Sequence, residues 1–153
     1  MQRLFPEFLG GARGLALLVL RLVAGSAMAL HGWSKISGPG MTHWGDGMGI
    51  PGPLQACAAL AEFGGGIAWM VGLATPVASL LLVITMGVAT YKMVLATQTF
   101  VGGPGKPSFE AASGYLAVAI LFLVVGPGRL SIDSLLFGRG PVVEPDPARK
   151  LAN

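Results

Sequence analysis

Apolar residues fall along this chain in four long runs, separated by stretches rich in glycine, proline or polar residues. The runs cover residues 14–33, 54–73, 75–97 and 109–125. None shows the strict alternation of a half-buried strand. Each is close to the roughly 20 residues that an apolar helix needs to cross a bilayer. Inside lipid, only helices and closed barrels satisfy the backbone. The pattern predicts an all-α fold: an integral membrane four-helix transmembrane bundle within residues 1–138. Residues 139–153 read as a polar, proline-rich tail of disordered composition.

The connections refine this picture. Ala74-Thr75-Pro76 is too short for anything but a tight turn, with Pro76 in the first turn of the next helix, where its missing N–H costs nothing. Runs two and three are therefore expected to form an antiparallel hairpin. Segment 34–53 is long and rich in Gly and Pro, with His43 and Trp44 in its middle. A loop of that length is usually functional or disordered. It fits a cap over the outer mouth of the bundle, and equally an interfacial loop with Trp33 and Trp44 at headgroup level. The stretch Leu4-Phe5-Pro6-Glu7-Phe8-Leu9 and the tail from Leu130 to Phe137 look interfacial. Ser131 is placed as an N-cap there, with Asp133 in the first turn.

Basic residues set the orientation. Arg3 and Arg13 precede the first run, and Arg129, Arg139, Arg149 and Lys150 follow the fourth. The opposite side holds Lys35 and Lys106. The positive-inside rule then puts both termini in the cytoplasm.

Composition agrees with the class. The 153 residues are 53% hydrophobic and 11% charged, against about 25% charged in an average soluble domain. Mean hydropathy is +0.69. A net charge of +3 with no basic patch among aromatics gives no case for nucleic acid as a partner. The only cysteine, Cys57, rules out a dithiol within this chain. Arg13, an apolar stretch and Ala27-Met28-Ala29 imitate a secretory signal. Arg21 breaks the apolar stretch, which favours a span.

Small residues let membrane helices approach closely. Gly64-Gly65-Gly66 in the second run, and Ser113, Gly114 and Ala117 on one face of the fourth, fit packing positions. The glycines could instead leave room for a flat ligand.

Chemistry is expected where ionisable groups sit at membrane depth. A charge there costs about 2.5 kcal/mol or more and faces a partner or a cavity. Arg21, Glu62 and Lys92 lie inside apolar runs, and His31, Lys35 and Glu110 lie near their outer ends. At about 100° per residue, Arg21, His31 and Lys35 fall within roughly 80° of one another, beside Gly25, Met28 and Gly32. Thr85, Ala89 and Lys92 make a similar stripe on the third run. From a rise of about 1.5 Å per residue, Arg21 and Glu62 differ in height by about 8 Å, nearly within an arginine's reach. One polar cluster in the bundle interior, opening outward, is the expectation. Glu62 and His31 are the candidate proton-handling catalytic pair. Arg21, Lys35, Lys92 and Glu110 are the candidate ligand-binding groups, with Arg21's fork suited to an anionic or carbonyl oxygen. The same charges also fit an ion-pair network that fixes helix register.

Other motifs fail. Gly102-Gly103-Pro104-Gly105-Lys106-Pro107 has the wrong spacing for a phosphate loop, and Pro107 stands where Ser or Thr is needed. His31 and His43 are too few and too far apart for a metal site. No Ser/His/Asp set with a local signature is visible.

Four segments together resemble the DoxX family of small bacterial membrane proteins. They are Arg21-Leu22-Val23-Ala24-Gly25, His31-Gly32-Trp33-Ser34-Lys35, Ala61-Glu62-Phe63-Gly64-Gly65-Gly66, and Gly126-Pro127-Gly128-Arg129-Leu130-Ser131-Ile132-Asp133. The resemblance implies a four-helix bundle over residues 15–138. It also implies a place in a membrane oxidoreductase system, since related proteins include a subunit of a thiosulfate:quinone oxidoreductase. Another groups with a superoxide dismutase and a thiosulfate sulfurtransferase. Family members often carry a histidine late in the third span, where this chain has Tyr91-Lys92. On this basis the expected ligand is a quinone or small sulfur compound, with quinone the one cofactor in view. The expected partners are the lipid bilayer and other subunits or further copies of the chain. The competing expectation is a non-catalytic anchoring or assembly subunit. A transporter fits less well, because no inverted repeat of broken helices is present.

Overall fold

The computed structural model describes residues 8–38 and 40–138. The expected interfacial stretch from Leu4 to Glu7, the polar tail from residue 139, and Arg3, Arg139, Arg149 and Lys150 lie outside the described residues. Among the described residues five α-helices follow in order: α1 Gly11–Ser37, α2 Gly52–Val71, α3 Thr75–Leu95, α4 Glu110–Val125 and α5 Ile132–Phe137. A 3-10 turn, Asp46–Met48, sits in the loop between α1 and α2. Among the described residues the sole β feature is an isolated bridge between Thr99 and Ser108.

α1, α2 and α3 are long and apolar enough to cross a membrane. α4 is apolar but has 16 residues, about 24 Å of helix. Large apolar residues such as Val23, Leu30, Val77 and Val124 are more than 60% exposed. Such a surface would be untenable in water and is the lipid-facing flank of a membrane bundle.

Small residues bring α1 and α2 into backbone contact. A Cβ added to Gly25 would lie 2.7 Å from the Gly66 carbonyl oxygen and 2.8 Å from Met70 Cγ. The three glycines of α2 face three ways. Gly66 meets α1, Gly65 meets Leu82 of α3, and Gly64 has open space. Packing thus explains two of the three. On α4, Gly114 and Ala117 are exposed and make no helix seam within the chain. The core holds Leu17, Met28, Trp69, Leu82, Met86 and Phe122. Trp69 lies edge-on to Phe122 with centroids 5.0 Å apart and donates its Nε1–H to Ser79 Oγ at 3.0 Å.

The tight turn expected between α2 and α3 is present, placed at Gly72–Ala74 with Thr75 and Pro76 already in α3. Gly72 ends α2 in the left-handed region at φ 67°, and Ala74 follows at φ 48°. α3 has no N-cap side chain of its own. Instead, the Asp133 carboxylate of α5 accepts from the backbone N–H of Ala74 at 2.7 Å and of Thr75 at 2.8 Å. Its own N–H donates to the Gly72 carbonyl at 2.8 Å. α5 is capped as expected, with Ser131 Oγ accepting from Ser134 N–H at 3.1 Å. Asp133 is fully buried, so it serves the start of α3 rather than an exposed helix dipole. Asp133→Ala should destabilise the bundle by about 1.5–3 kcal/mol, the range for hydrogen bonds to a charged group. Asp133→Asn should lose less, because it keeps one acceptor. Denaturation by SDS in mixed micelles reads both.

Candidate functional site

The ionisable residues form two layers rather than one cluster. The first is at the α2–α3 turn. Arg21 is fully buried on the inner face of α1. Its Nε–H donates to the Trp69 carbonyl at 2.7 Å and its Nη2 group to that of Met70 at 2.9 Å. Nη1 donates to the carbonyls of Pro127 at 2.9 Å and Leu130 at 2.8 Å. The last carbonyls of a helix lack intrahelical partners, and the non-helical turn after α4 has none. Irregular backbone at membrane depth is tolerated only when protein satisfies it. Arg21 does this for both segments at once. Asp133 supplies the opposite charge that acts on it. Arg21 was expected to reach toward Glu62 and a ligand; four of its five N–H groups are committed to the main chain instead.

The second layer is at the other end of α1 and α2. α1 continues to Ser37, so Lys35 lies on its last turn rather than in a loop. The inner face of α2 reads Gln55, Ala59, Glu62, Gly66 and Trp69, all buried. This spacing of four and three residues is one helical stripe. Lys35 Nζ pairs with Glu62 Oε1 at 2.5 Å, with side chains 23% and 2% exposed. Glu62 Oε2 is buried and has no hydrogen-bond partner.

Over this pair lies the loop between α1 and α2, hung on Gln55. The Gly45 N–H donates to Gln55 Oε1 at 2.6 Å. Gln55 Nε2 donates to Asp46 Oδ1 at 2.8 Å and to the Ile50 carbonyl at 2.7 Å. The Trp44 indole N–H donates to the Gln55 carbonyl at 3.0 Å. This holds the Trp44 ring over Lys35, with Nζ 4.2 Å from the centroid, in cation–π range. The loop therefore packs over the Lys35–Glu62 end of the bundle.

The remaining expected residues are spread around this layer. His31 is exposed, one turn before Lys35, and meets the Tyr115 ring edge-on at 6.0 Å. Lys92 Nζ reaches the Met48 carbonyl of the cap at 3.4 Å. Glu110 is exposed in the first turn of α4. Among the described residues the ion pairs are Lys35–Glu62 and His43–Asp46, so Lys92 and Glu110 make none. The inner face of α3 carries Thr75, Ala78, Ser79, Leu82 and Met86, which turns the Thr85–Ala89–Lys92 stripe to one side. Sequence reasoning missed Gln55 and Asp133 as site-forming residues. Gln55 was findable as the polar residue seven positions before Glu62 on the same stripe. Asp133 was not, because its partners are main-chain groups 58 and 59 residues away.

Asp46 lies outside the spans. The hydrogen bond from Gln55, and then that from His43, hold its carboxyl below the ordinary 3.8. Its native pKa being lowered, its support for the cap is complete above 3.8 and is lost as pH falls through the lowered value. Trp44 fluorescence should therefore show an acid transition below the ordinary 3.8. Asp46→Asn should remove the acid transition.

An open apolar groove of ≈ 460 Å³ runs between α2 and α3 on the lipid-facing flank, lined by residues that include Cys57, Leu60, Gly64, Ala68, Val77 and Leu81. It gives the space at Gly64 an address, but it holds no charged side chain, its one weakly polar group is the Cys57 thiol, and it suits an acyl chain rather than a headgroup.

A small helical membrane protein with one backbone-capping polar layer and one capped carboxylate–ammonium layer is the class these features define. The DoxX family profile matches residues 16–98, more than half of the chain, and the chain belongs to that family. It is also similar to the inner membrane protein YqjF of Escherichia coli (strain K12). The two are 31% identical over 123 residues, 80% of this chain and 92% of that protein. No solved structure matches the chain.

Proposed function

We propose that this protein is a bacterial inner-membrane subunit of an oxidoreductase system. Its ligand site is the Glu62–Lys35 layer, and its ligand is a quinone head group or a small sulfur compound. The observation that carries this is Glu62 Oε2, buried and without a partner beside an oxygen already neutralised by Lys35. A buried acceptor left unmade is costly, on the order of 1–3 kcal/mol. The reduced form of such a ligand, a quinol O–H or a protonated sulfur compound, recovers that cost by donating there, and Oε2 can then take its proton as the electrons leave to a partner. Glu62 is the catalytic group in this reading and Lys35 holds its charge. His31 and Tyr115 flank the layer, and Trp44, Gln55 and Lys92 hold the cap. Cys57 is the only sulfur nucleophile, so electrons pass to or from a partner subunit or bound cofactor. Both termini lie in the cytoplasm, as the Arg13 and Arg129 end of the bundle favours. The inner-membrane placement is supported by the similarity to YqjF.

A second reading is an anchoring or assembly subunit. It is favoured by Gly114, Gly64 and Gly87, which leave helix backbone open toward the lipid, where partner helices could pack closely. Native mass spectrometry of protein released gently from its own membrane, with an organic extract of the same sample, separates the two. The first reading predicts a co-purifying small molecule that is lost in Glu62→Gln and kept in Asp133→Asn. Equal small-molecule content in Glu62→Gln and wild type, or a partner protein with no small molecule, contradicts it.

A further inference from the structure

Heights along the bundle can be read from α1. Arg21 lies ten residues past Gly11, about 15 Å along the helix axis. It bonds the carbonyls of Trp69 and Met70, the last turn of α2. The α2–α3 hairpin therefore turns back at that height, while α1 continues for about 15 Å more. Segment 126–138 fills the step. It is tied at the lower level by Arg129 N–H to the Leu9 carbonyl, 2.9 Å, and at the upper level by Asp133 N–H to the Gly72 carbonyl, 2.8 Å. α5 thus sits under the hairpin, within the slab crossed by the first ten residues of α1.

Two polar side chains of this segment are used inside the protein. Asp133 and Ser131 are buried and hydrogen-bonded. Exposed instead are Leu130 at 54%, Ile132 at 36%, Leu135 at 84% and Leu136 at 62%. Arg13 and Arg129, both exposed, lie at the same end of the bundle. An apolar face beside cations is the composition of a segment lying in the headgroup–acyl boundary. The face continues the lipid-facing flank of the spans. We infer that α5 and the turn before it are an interfacial anchor, whose occupant is the lipid of the leaflet at the N-terminal end of α1. Through Asp133, the anchor fixes the depth at which the α2–α3 hairpin turns.

The test uses the full chain with Cys57→Ser and Leu135→Cys, labelled with an environment-sensitive fluorophore. It is reconstituted in phosphatidylethanolamine–phosphatidylglycerol vesicles. A second set carries the label at Leu136→Cys, so that a local effect of one position is recognised. Lipids brominated high on the acyl chain should quench the label several-fold more strongly than aqueous iodide does. Iodide quenching as strong as for free dye, with brominated lipid inert, would overturn the inference by placing α5 in water. Label–label self-quenching that persists on dilution into excess lipid would overturn it by placing a second copy on this face.

Discussion

Arg21→Leu is expected to destabilise this protein more than any other single substitution, by at least about 4 kcal/mol. The change takes a donor from four main-chain carbonyls. That of Trp69 keeps the Gly72 N–H at 3.2 Å, while those of Met70, Pro127 and Leu130 are stranded at a depth where water cannot replace the donor. Each buried unsatisfied acceptor costs about 1–3 kcal/mol, and some relaxation will soften the sum. Arg21→Lys should recover only part of the loss. An ammonium is a compact point donor and cannot span two carbonyls of α2 and two of the turn after α4 as a planar fork does. SDS titration in mixed micelles, followed by far-UV circular dichroism, gives the order wild type, lysine, leucine. A leucine variant within about 1 kcal/mol of wild type would mean that the carbonyls find other partners, and the capping role would fail.

Lys35→Met is expected to have the second largest effect, about 3–5 kcal/mol, because it leaves Glu62 buried without its counter-charge. It also removes the cation beneath Trp44. Glu62→Met alone should cost less, since Lys35 is partly exposed and can turn toward water. The double variant Lys35→Met/Glu62→Met should return close to wild-type stability, because a buried ion pair can often be replaced by apolar residues without loss. Strong non-additivity in this cycle is the signature of a directly coupled pair. The stable double variant then isolates function, as it should fold and yet bind no ligand.

How far the sequence alone reached follows from what each feature depends on. The spans were legible because lipid imposes length and apolarity locally. The inner face of α1 was legible too, with Arg21, Gly25, Met28 and Gly32 buried together. The merging of Arg21 and Glu62 into one cluster did not survive. Height had been counted as though every helix crossed the same slab, whereas the α2–α3 hairpin turns at the level of Arg21. That leaves Glu62 seven residues, about 11 Å, beyond Trp69 along α2. Side-chain patterning also has no view of main-chain partners, and the contacts of Arg21 and Asp133 are main-chain groups far away in sequence. The link between Gln55 and the cap depends on how loop 40–51 folds back, which glycine and proline content marks as a loop without giving its path.

The proposed function divides the labour between the two layers: the Arg21–Asp133 layer satisfies backbone, and the Glu62–Lys35 layer is proposed to meet the ligand. The measurement that tests this division most directly is infrared difference spectroscopy of wild type and Glu62→Gln in native-lipid vesicles. Spectra are recorded before and after addition of a short-chain quinol, and then of thiosulfate. The account predicts a carboxyl or carboxylate band that changes on addition of one of the two probes in wild type and is missing in Glu62→Gln. Identical difference spectra from the two proteins with both probes would contradict it, and the Glu62–Lys35 pair would then be a structural pair like the Arg21 layer.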